Sequence, residues 1–416
     1  MRSLVSWLVV LVWLSAVGCN EHSDGFYTEA DLQRDADTQA DLPSADVVIP
    51  PLPFDWCSAD TPDDACYAQK RNPNSDSVAL ALAIADKQLA LHDPAELEWD
   101  WEEAVLMWSL TELYRITGRQ DLQTFYRGWM DHHIEAGYSI STSDTCAPAA
   151  IAAVLYGETG EEKYAQVVND AFHYLDEEAL RTPEGGISHL GTVSIVTLWV
   201  DSLFMFGNVM LAWAERSDDP TRLDQFAQQF SIFTEQMQQA NGLYVHAVDW
   251  VITPPTPVFW ARGNGWVAAS AYQYLRLRTL AGDGDEVVAT ASRKLVDGAI
   301  ELQDDSGLWW DLLDRPNTIY LETSAGALFA YGMARGYRYG FLDDSILPVI
   351  AKAMDGVNSR ILYDDQDQPV VTGVSGPTSA DVAEEYAKID QVDDLGYGIG
   401  AVILALIETS GLPLEQ

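Results

Sequence analysis

Apolar residues recur at helical spacing through almost the whole of the stretch 71–416. Spacings of three and four residues place them on one face of a helix, so each such segment predicts an amphipathic helix. Twelve segments show the pattern, near 75–92, 101–117, 120–136, 145–157, 161–179, 193–216, 221–239, 265–281, 285–303, 322–339, 344–357 and 394–411. Strand patterns are confined to short pieces such as 243–248 and 308–311. The sequence therefore predicts an all-α domain.

The predicted helices also alternate in character along the chain. Those near 101, 145, 193, 265, 322 and 394 are rich in Ala, Gly and aromatic residues, whereas those near 120, 161, 221 and 285 carry charges on one face. Helices of the first kind suit a buried inner ring, and helices of the second kind suit an outer ring with one face in water. Six inner–outer hairpins predict an (α/α)6 barrel, a six-hairpin toroid. The alternative is an irregular all-α domain.

The first seventy residues have the composition of export and tether segments. Arg2 precedes an apolar run that is short for a membrane span, which is typical of an export signal over residues 1–18. The segment ending at Cys19 resembles a bacterial lipoprotein processing site, so we expect a lipid anchor there; plain secretion and an uncleaved anchor are the alternatives. Residues 19–70 would form an acidic tether. Residues 71–416 would then lie in the bacterial cell envelope, exported and anchored on the periplasmic side or at the cell surface.

The remaining cysteines fit an oxidising compartment. Cys57 and Cys66 flank a short polar turn and could close a small disulfide loop, while Cys146 is predicted to be a buried thiol. The cysteines and the seven histidines do not cluster as ligand sets, so no metal site is predicted.

Charge excludes one broad class of function. The formal net charge is −41, and the 23 basic residues are spread along 416 positions without a stripe that could neutralise phosphates. A general nucleic-acid binder is therefore excluded. Membrane contact is expected only through the lipid anchor, and the sequence does not predict the oligomeric state.

Asp201 is the most informative polar residue of the chain. It lies inside the strongly apolar stretch 191–214, beside Trp199 and Leu203. A carboxylate in such surroundings is either paired, or its pKa rises until it holds a proton near neutral pH. A protonated carboxyl is what a general acid requires. The alternative is that Asp201 caps a helix and accepts backbone N–H groups.

Other candidate residues fall where inner helices begin. In an (α/α)6 toroid those helix starts and the longer loops meet at one end and form a cleft. Asp144 comes just before one inner helix, and His189 lies in the loop before the Asp201 helix. His246 and Asp249 follow in a later loop. We expect these polar side chains to share the cleft.

The segment 258–266, Val-Phe-Trp-Ala-Arg-Gly-Asn-Gly-Trp, is the most specific motif. Trp260 and Trp266 offer flat faces for sugar rings, and Arg262 offers a fork for a carboxylate. Gly263 and Gly265 would let the backbone approach a ligand at a helix start. The alternative is a structural loop packed by its own aromatic residues.

At these residues the chain resembles a known enzyme family. The resemblance rests on four motifs in order: Tyr-Gly-Glu-Thr-Gly-Glu-Glu-Lys-Tyr at 156–164, Leu-Trp-Val-Asp-Ser-Leu-Phe-Met at 198–205, Phe-Trp-Ala-Arg-Gly-Asn-Gly-Trp at 259–266, and Glu-Thr-Ser-Ala-Gly-Ala-Leu-Phe-Ala-Tyr-Gly-Met at 322–333. They resemble the unsaturated rhamnogalacturonyl hydrolases of glycoside hydrolase family 105, which are related to the unsaturated glucuronyl hydrolases of family 88. The similarity runs from about residue 75 to residue 411.

The resemblance implies an (α/α)6 enzyme without cofactor or metal. Such enzymes remove a 4,5-unsaturated uronic acid from the non-reducing end of anionic oligosaccharides made by polysaccharide lyases. By resemblance, Asp201 protonates C4 and then activates the water that adds at C5, and Asp144 is the second acid. His246, Trp260, Arg262 and Trp266 match substrate positions, with Trp199 as a wall and His189 in the adjoining loop; Arg262 is the expected contact for the anionic group.

One departure from the family pattern bears on specificity. Family members often carry a cationic residue shortly after the loop histidine, whereas this chain has Leu190 after His189. Subsite preference beyond the unsaturated sugar therefore stays open. Two other functions also stay open: another (α/α)6 carbohydrate enzyme, such as an inverting glycosidase or a lyase, and a lipid-anchored glycan-binding protein without catalysis.

Overall fold

The computed structural model describes residues 71–191, 196–217, 219–248 and 257–414. The predicted signal segment and tether, with Cys19, Cys57 and Cys66, lie outside the described residues, and so does Asp249. Among the described residues, no helix combines the length and the apolar character that crossing a membrane would require.

Twelve long helices account for most of the described chain. They are α1 Asp76–Leu91, α2 Trp101–Thr117, α3 Gln120–Ala136, α4 Ala149–Thr159, α5 Glu162–His173, α6 Ser202–Arg216, α7 Thr221–Met237, α8 Ala261–Leu280, α9 Glu286–Ile300, α10 Thr323–Arg338, α11 Leu347–Asn358 and α12 Gly396–Thr409. Each corresponds to one of the predicted segments, so the all-α prediction is confirmed.

The even-numbered helices form a closed inner ring. Neighbours in the order α2, α4, α6, α8, α10 and α12 pack side by side, and α12 packs against α2. Each inner helix also packs against one odd-numbered helix outside it: α2 on α3, α4 on α5, α6 on α7, α8 on α9, α10 on α11, and α12 on α1. Six hairpins result, the sixth from opposite ends of the described chain. The (α/α)6 prediction is confirmed.

The burial of the inner and outer helices explains their different sequence patterns. In α4, all residues from Ala149 to Leu155 are buried, as expected for a helix enclosed on every side. The outer helix α5 buries one stripe that includes Tyr164, Val168 and Phe172, and it turns its charged face to solvent. The free thiol of Cys146 is buried, as predicted.

Short two-stranded antiparallel ladders lie in the loops between helices. They are β1 Leu198–Trp199 with β2 Ala247–Val248, β3 Trp309–Trp310 with β4 Leu321–Glu322, β5 Ile361–Tyr363 with β6 Pro369–Val371, and β7 Val374–Ser375 with β8 Gln391–Val392. Both predicted strand regions contain a strand, although a shorter one. The helix expected from residue 193 begins only at Ser202, because Leu198 and Trp199 pair with Val248 and Ala247 instead.

The two ends of the inner ring differ in their buried charged residues. We call the end where inner helices begin the front and the end where they finish the back. A buried network of ion pairs lies at the back, and its members come from five inner helices and from the segment preceding α1: Arg71, Glu112, Arg115, Glu215, Arg276, Arg335, Arg338 and Glu408. We refer to this set as the back network. The candidate site lies at the front.

Candidate active site

Asp201 lies between β1 and the first turn of α6. Its side chain makes no capping hydrogen bond to that helix, so the alternative of a structural helix cap is not what the structure shows. The residue is 8% exposed, and Oδ1 is buried without a hydrogen-bond partner among the described residues. A buried carboxylate oxygen without a partner is costly, which favours the protonated acid.

The electrostatic surroundings of Asp201 point the same way. Burial raises its pKa to about 6; the charge on His189 opposes this shift and the charge on Asp144 reinforces it. A carboxyl with a pKa near 6 carries a proton in a useful fraction of molecules near neutral pH and can also give it up. Those two properties are what a group that serves first as an acid and then as a base requires.

Asp144 and His189 meet next to Asp201. Asp144 lies in the helical turn Ser143–Cys146, and the backbone N–H of Ser143 donates to the carbonyl of His189 at 3.0 Å. The Nε2 atom of His189 is 3.5 Å from Oδ2 of Asp144, and its Nδ1 is 3.0 Å from Oγ of Ser202. Burial would lower the pKa of His189, but the charges of Asp144 and Asp201 overcome it and raise that pKa. Imidazolium is thereby favoured between two acids.

A row of rings lies beside these acids. The ring of Trp199 stacks on His189 with centroids 4.2 Å apart, and its edge meets His246 at 5.5 Å. His246 in turn stacks on Trp260 at 4.4 Å. The β1–β2 pairing sets this row, because it places Trp199 opposite the residue that follows His246. The structure thus brings together Asp201, Asp144 and four of the six predicted substrate residues.

Tyr386 is a member of this site that the sequence did not reveal. Its hydroxyl lies 2.5 Å from Nδ1 of His246, and its ring is part of a small cluster with Trp260 and Leu312. Burial raises the pKa of Tyr386, so the phenol keeps its proton and can donate to Nδ1. Burial also holds the pKa of His246 well below its usual range. A neutral ring that accepts at Nδ1 carries its hydrogen on Nε2, which has no partner among the described residues.

Arg262 is not placed as a substrate contact. Its side chain is 0% exposed; Nη1 donates to the carbonyl of Ser375 at 2.8 Å, and Nη2 donates to the carbonyl of Gly376 and to Oγ1 of Thr378, both at 3.0 Å. The guanidinium also lies 4.6 Å from the ring centre of Trp260. These contacts occupy the fork that was expected to hold an anion. Arg262 instead fixes the end of β7 and the segment after it, which leads to Tyr386.

Trp266 and the two glycines of the motif serve packing. The Trp266 ring is 0% exposed and lies 4.3 Å from Phe204, so it presents no face to a sugar. A Cβ on Gly263 would come within 2.6 Å of Val200, and one on Gly265 within 2.8 Å of Leu328. The glycines therefore allow α8 to approach its neighbours, not a ligand. For these residues the packing alternative was the better interpretation.

A buried acid beneath Trp260 was also missed. Asp311 follows β3 and is fully buried. Burial and the charge of Glu322 raise its pKa to about 7, opposed by the charge of Arg262. The only sequence signal was its position at the end of a predicted strand, which says nothing about its neighbours.

The acid and imidazole groups could also be viewed as ligands. One atom each from Asp144, His189 and Asp201 lies within 4.8 Å of the others, a spacing compatible with a metal ion. Such a set is equally compatible with proton transfer between the groups. The expectation that no metal takes part stays a prediction.

Comparison with known proteins identifies the family. The model of Glycosyl Hydrolase Family 88 matches residues 81–412. The chain belongs to this family. The matched range begins within α1 and covers the other eleven helices of the toroid, together with Asp144, His189 and Asp201.

Named relatives and solved structures agree with this assignment. The chain is 26% identical over 275 residues to the unsaturated rhamnogalacturonyl hydrolase YesR of Bacillus subtilis (strain 168), covering 64% of this chain and 80% of that protein. It is 25% identical over 230 residues to the unsaturated 3S-rhamnoglycuronyl hydrolase of Alteromonas sp. (strain LOR), covering 54% of each. A possible member of the GH105 family from Klebsiella pneumoniae has the same fold, with a TM-score of 0.71, 24% identity, and coverage of 80% of this chain and 93% of that one.

Proposed function

We propose that the protein hydrolyses oligosaccharides that carry a 4,5-unsaturated uronic acid at the non-reducing end, releasing that sugar. The observation that carries the proposal is the Asp201 carboxyl, buried, with one oxygen unpaired, its pKa raised to about 6, and packed beside Asp144 and His189. Membership of Glycosyl Hydrolase Family 88 and the activities in the names of the relatives support it.

The reaction is a hydration of a vinyl ether. Asp201 gives its proton to C4, and the electron pair of the C4=C5 bond forms the new C4–H bond, leaving an oxocarbenium-like centre at C5. Water then adds at C5 while the Asp201 carboxylate accepts a proton from it, which restores the acid. The hemiketal opens to a C5 ketone, and the hemiacetal left at C1 expels the neighbouring sugar as an alcohol. No covalent sugar–enzyme bond is formed.

The neighbouring residues fit supporting roles in this scheme. The Asp144 carboxylate helps to raise the pKa of Asp201 and is close enough to orient the water. His189 bridges toward both acids and offers a cation, while Nε2 of His246 offers a hydrogen-bond donor. Trp199 and Trp260 extend an apolar wall along the pocket. Because the Arg262 fork is occupied by Ser375, Gly376 and Thr378, we assign it a positioning role.

The acid spacing weighs against an inverting glycosidase. Inverting enzymes separate their two carboxyl groups by roughly 6.5–9.5 Å to leave room for a water molecule. Oxygen atoms of Asp144 and Asp201 lie within 4.8 Å of each other. One dual-purpose acid with a close neighbour suits hydration of a double bond better.

The test uses lyase-generated oligosaccharides from pectin, ulvan and glycosaminoglycans. The wild-type protein should remove the ultraviolet absorbance of the conjugated double bond on at least one of them, and mass spectrometry should show release of the unsaturated sugar. No loss of absorbance on any of the three would contradict the proposal.

We also propose export and lipid anchoring through Cys19. Support comes from the short apolar run before Cys19 and from the acidic composition of 19–70. In a bacterial host the protein should fractionate with membranes, and mass spectrometry should find an acylated cysteine at its N-terminus. Cys19→Ala should release the protein into the soluble fraction; a membrane-bound variant would contradict the anchor.

A further inference from the structure

The exposure of the site residues indicates which way a substrate lies in the pocket. His189, His246 and Trp260 are each only 2% exposed, and Asp201 is 8% exposed. The Asp144 side chain is 29% exposed, so the pocket opens past this acid. If the unsaturated sugar reacts at Asp201, its neighbour must project outward beside Asp144.

The border of this opening is the start of α2. The indole N–H of Trp99 donates to the carbonyl of Thr145 at 3.0 Å, which joins the segment 98–103 to the turn that carries Asp144. The carboxylate of Asp100 lies close enough for the charges of Asp144 and His189 to act on it. A sugar that leaves the pocket past Asp144 would therefore meet this segment.

Four carboxylates crowd the segment, and we call them the rim acids: Glu98, Asp100, Glu102 and Glu103. Among the described residues, no Lys or Arg forms an ion pair with any of them. Burial, together with repulsion from the other three, raises the pKa of Glu103 to about 7. Arg262 lies close enough to Glu102 to act on its charge, but its Nη1 and Nη2 atoms donate to the carbonyl groups of Ser375 and Gly376. The charges of His189 on Asp100 and of Arg262 on Glu102 offset part of the rim's negative potential, but among the described residues no Lys or Arg pairs directly with a rim acid.

The chemistry of the rim suits a neutral sugar. Carboxylates accept hydrogen bonds from sugar hydroxyls. The half-buried Trp101 ring, packed on Tyr397 at 4.6 Å, offers an apolar face for C–H groups. A sulfate or a second carboxylate has no hydrogen to donate to these acids and would be repelled by them.

We propose that the sugar linked to the unsaturated uronate is uncharged, and that the rim acids exclude sulfated or carboxylated neighbours. This inference rests on the proposed function. The anionic uronate itself avoids the rim, because it lies deeper, beside His189 and the Nε2 donor of His246. Specificity would thus arise from repulsion at the opening, and not from a dedicated cationic pocket.

The experiment compares two disaccharides that differ in one group. Both carry the unsaturated uronate on rhamnose, and one has a sulfate on the rhamnose. For the wild-type protein, kcat/KM should be about tenfold or more higher for the unsulfated substrate, and the ratio should shrink as salt is added. The double variant Glu98→Gln/Glu102→Gln should lower the ratio at least threefold. The matched control Glu235→Gln/Glu301→Gln, which removes two exposed acids from the outer surface, should leave the ratio as in wild type.

Each other result has a distinct meaning. Equal or faster hydrolysis of the sulfated substrate by the wild type would overturn the inference while leaving the proposed function intact. A preference that the rim variant does not reduce, or that the control reduces equally, would also overturn it. Hydrolysis of neither substrate, nor of any oligosaccharide from the three lyase digests, would overturn the proposed function and this inference with it.

Discussion

Buried carboxyl groups at the back of the barrel are paired with arginines, whereas the Asp201 carboxyl at the front is not. At the back, Glu408 is paired with Arg335 at 2.6 Å and with Arg71 at 2.5 Å, and Glu215 is paired with Arg115 at 2.6 Å. At the front, no Lys or Arg among the described residues forms an ion pair with Asp201, and its Oδ1 accepts no hydrogen bond from them. Asp201 and Glu215 belong to opposite ends of α6, about 21 Å apart along its axis.

The difference appears in the acidity of the two ends. Burial opposes ionisation of Glu112, but Arg115, Arg71 and Arg335 outweigh it and lower its pKa to about 2. With less compensation, burial raises the pKa of Asp201 to about 6. The same ring of helices thus holds ionised, paired acids at one end and an acid that retains its proton to higher pH at the other.

The largest expected effect is a loss of turnover caused by a substitution at the front of the barrel. Asp201→Asn removes the proton donor and should lower kcat by about 10²–10⁴-fold. It should leave helical circular dichroism unchanged and raise stability at pH 8 by about 1–3 kcal/mol, because a buried charge is lost. Asp365→Asn, an exposed control, should change neither property. A folded Asp201→Asn protein with wild-type turnover would remove Asp201 from its assigned role.

The matching substitution at the back should lower the stability of the fold. Glu408→Gln leaves Arg335 and Arg71 without their shared carboxylate and should lower the free energy of unfolding by about 3–5 kcal/mol, measured by urea denaturation. The molecules that remain folded should keep wild-type turnover. The exposed control Glu301→Gln should stay within about 0.5 kcal/mol of wild type. A stable but inactive Glu408→Gln protein would contradict the expectation that the back of the barrel affects stability and the front affects turnover.

Stability should fall on both sides of a window in pH. The folded pKa of Glu112 lies below its unfolded value of 4.5, so its contribution is present above that pH and is lost as pH falls toward about 2. The folded pKa of Asp201 lies above its unfolded value of 3.8, so the proton it holds contributes stability that is lost as pH rises through about 6. Melting temperature should therefore peak between these limits. Asp201→Asn should flatten the upper side and leave the lower side unchanged.

The pH dependence of turnover should reflect the protonation of Asp201. Because C4 receives its proton from Asp201, kcat should decrease as pH rises above about 6, measured with the best oligosaccharide at saturating concentration. A rate that keeps rising to pH 8 would contradict the assignment of the general acid.

Tyr386→Phe probes the positioning of His246 and should have a smaller effect. Loss of the hydroxyl frees Nδ1, so the ring can adopt the tautomer without a hydrogen on Nε2. We expect about a tenfold loss in kcat/KM and little change in stability. Tyr363→Phe removes an exposed hydroxyl and should behave as wild type. In a proton NMR spectrum, the imidazole signals of His246 should shift in Tyr386→Phe only; if they do not, Tyr386 does not set the tautomer.

The smallest expected effect is that of a chelator. Dialysis against EDTA should leave turnover within experimental error, since the scheme uses protons alone at Asp144, His189 and Asp201. A loss that returns on adding a divalent cation would assign these residues a metal.

The sequence was sufficient for the architecture because burial on all sides and burial on one side leave different patterns. The inner helix α4 is apolar throughout its buried part, whereas α5 has one apolar stripe, and both patterns were readable without contacts. The burial of Asp201 and its raised pKa could be predicted for a similar reason, since it is an isolated acid in an apolar segment.

The errors concern residues whose role depends on what lies opposite them. Trp266 and Arg262 have the right chemistry for a sugar site, yet Phe204 covers the first and backbone carbonyls from 375–376 occupy the second. Tyr386 reaches His246 across 140 positions of sequence, and no local period marks such a contact. Long-range pairing therefore decided what side-chain type alone could not.

The pairing of α1 with α12 has a consequence for synthesis. Because the sixth hairpin is built from the earliest and the latest helices of the described chain, the ring cannot close on the ribosome until α12 has emerged. The long sequence separation of that contact makes closure a late step. Tyr386, Tyr397 and the anchor points of Arg262 also belong to this final stretch. A nascent chain would thus complete its candidate site and its barrel in the same event.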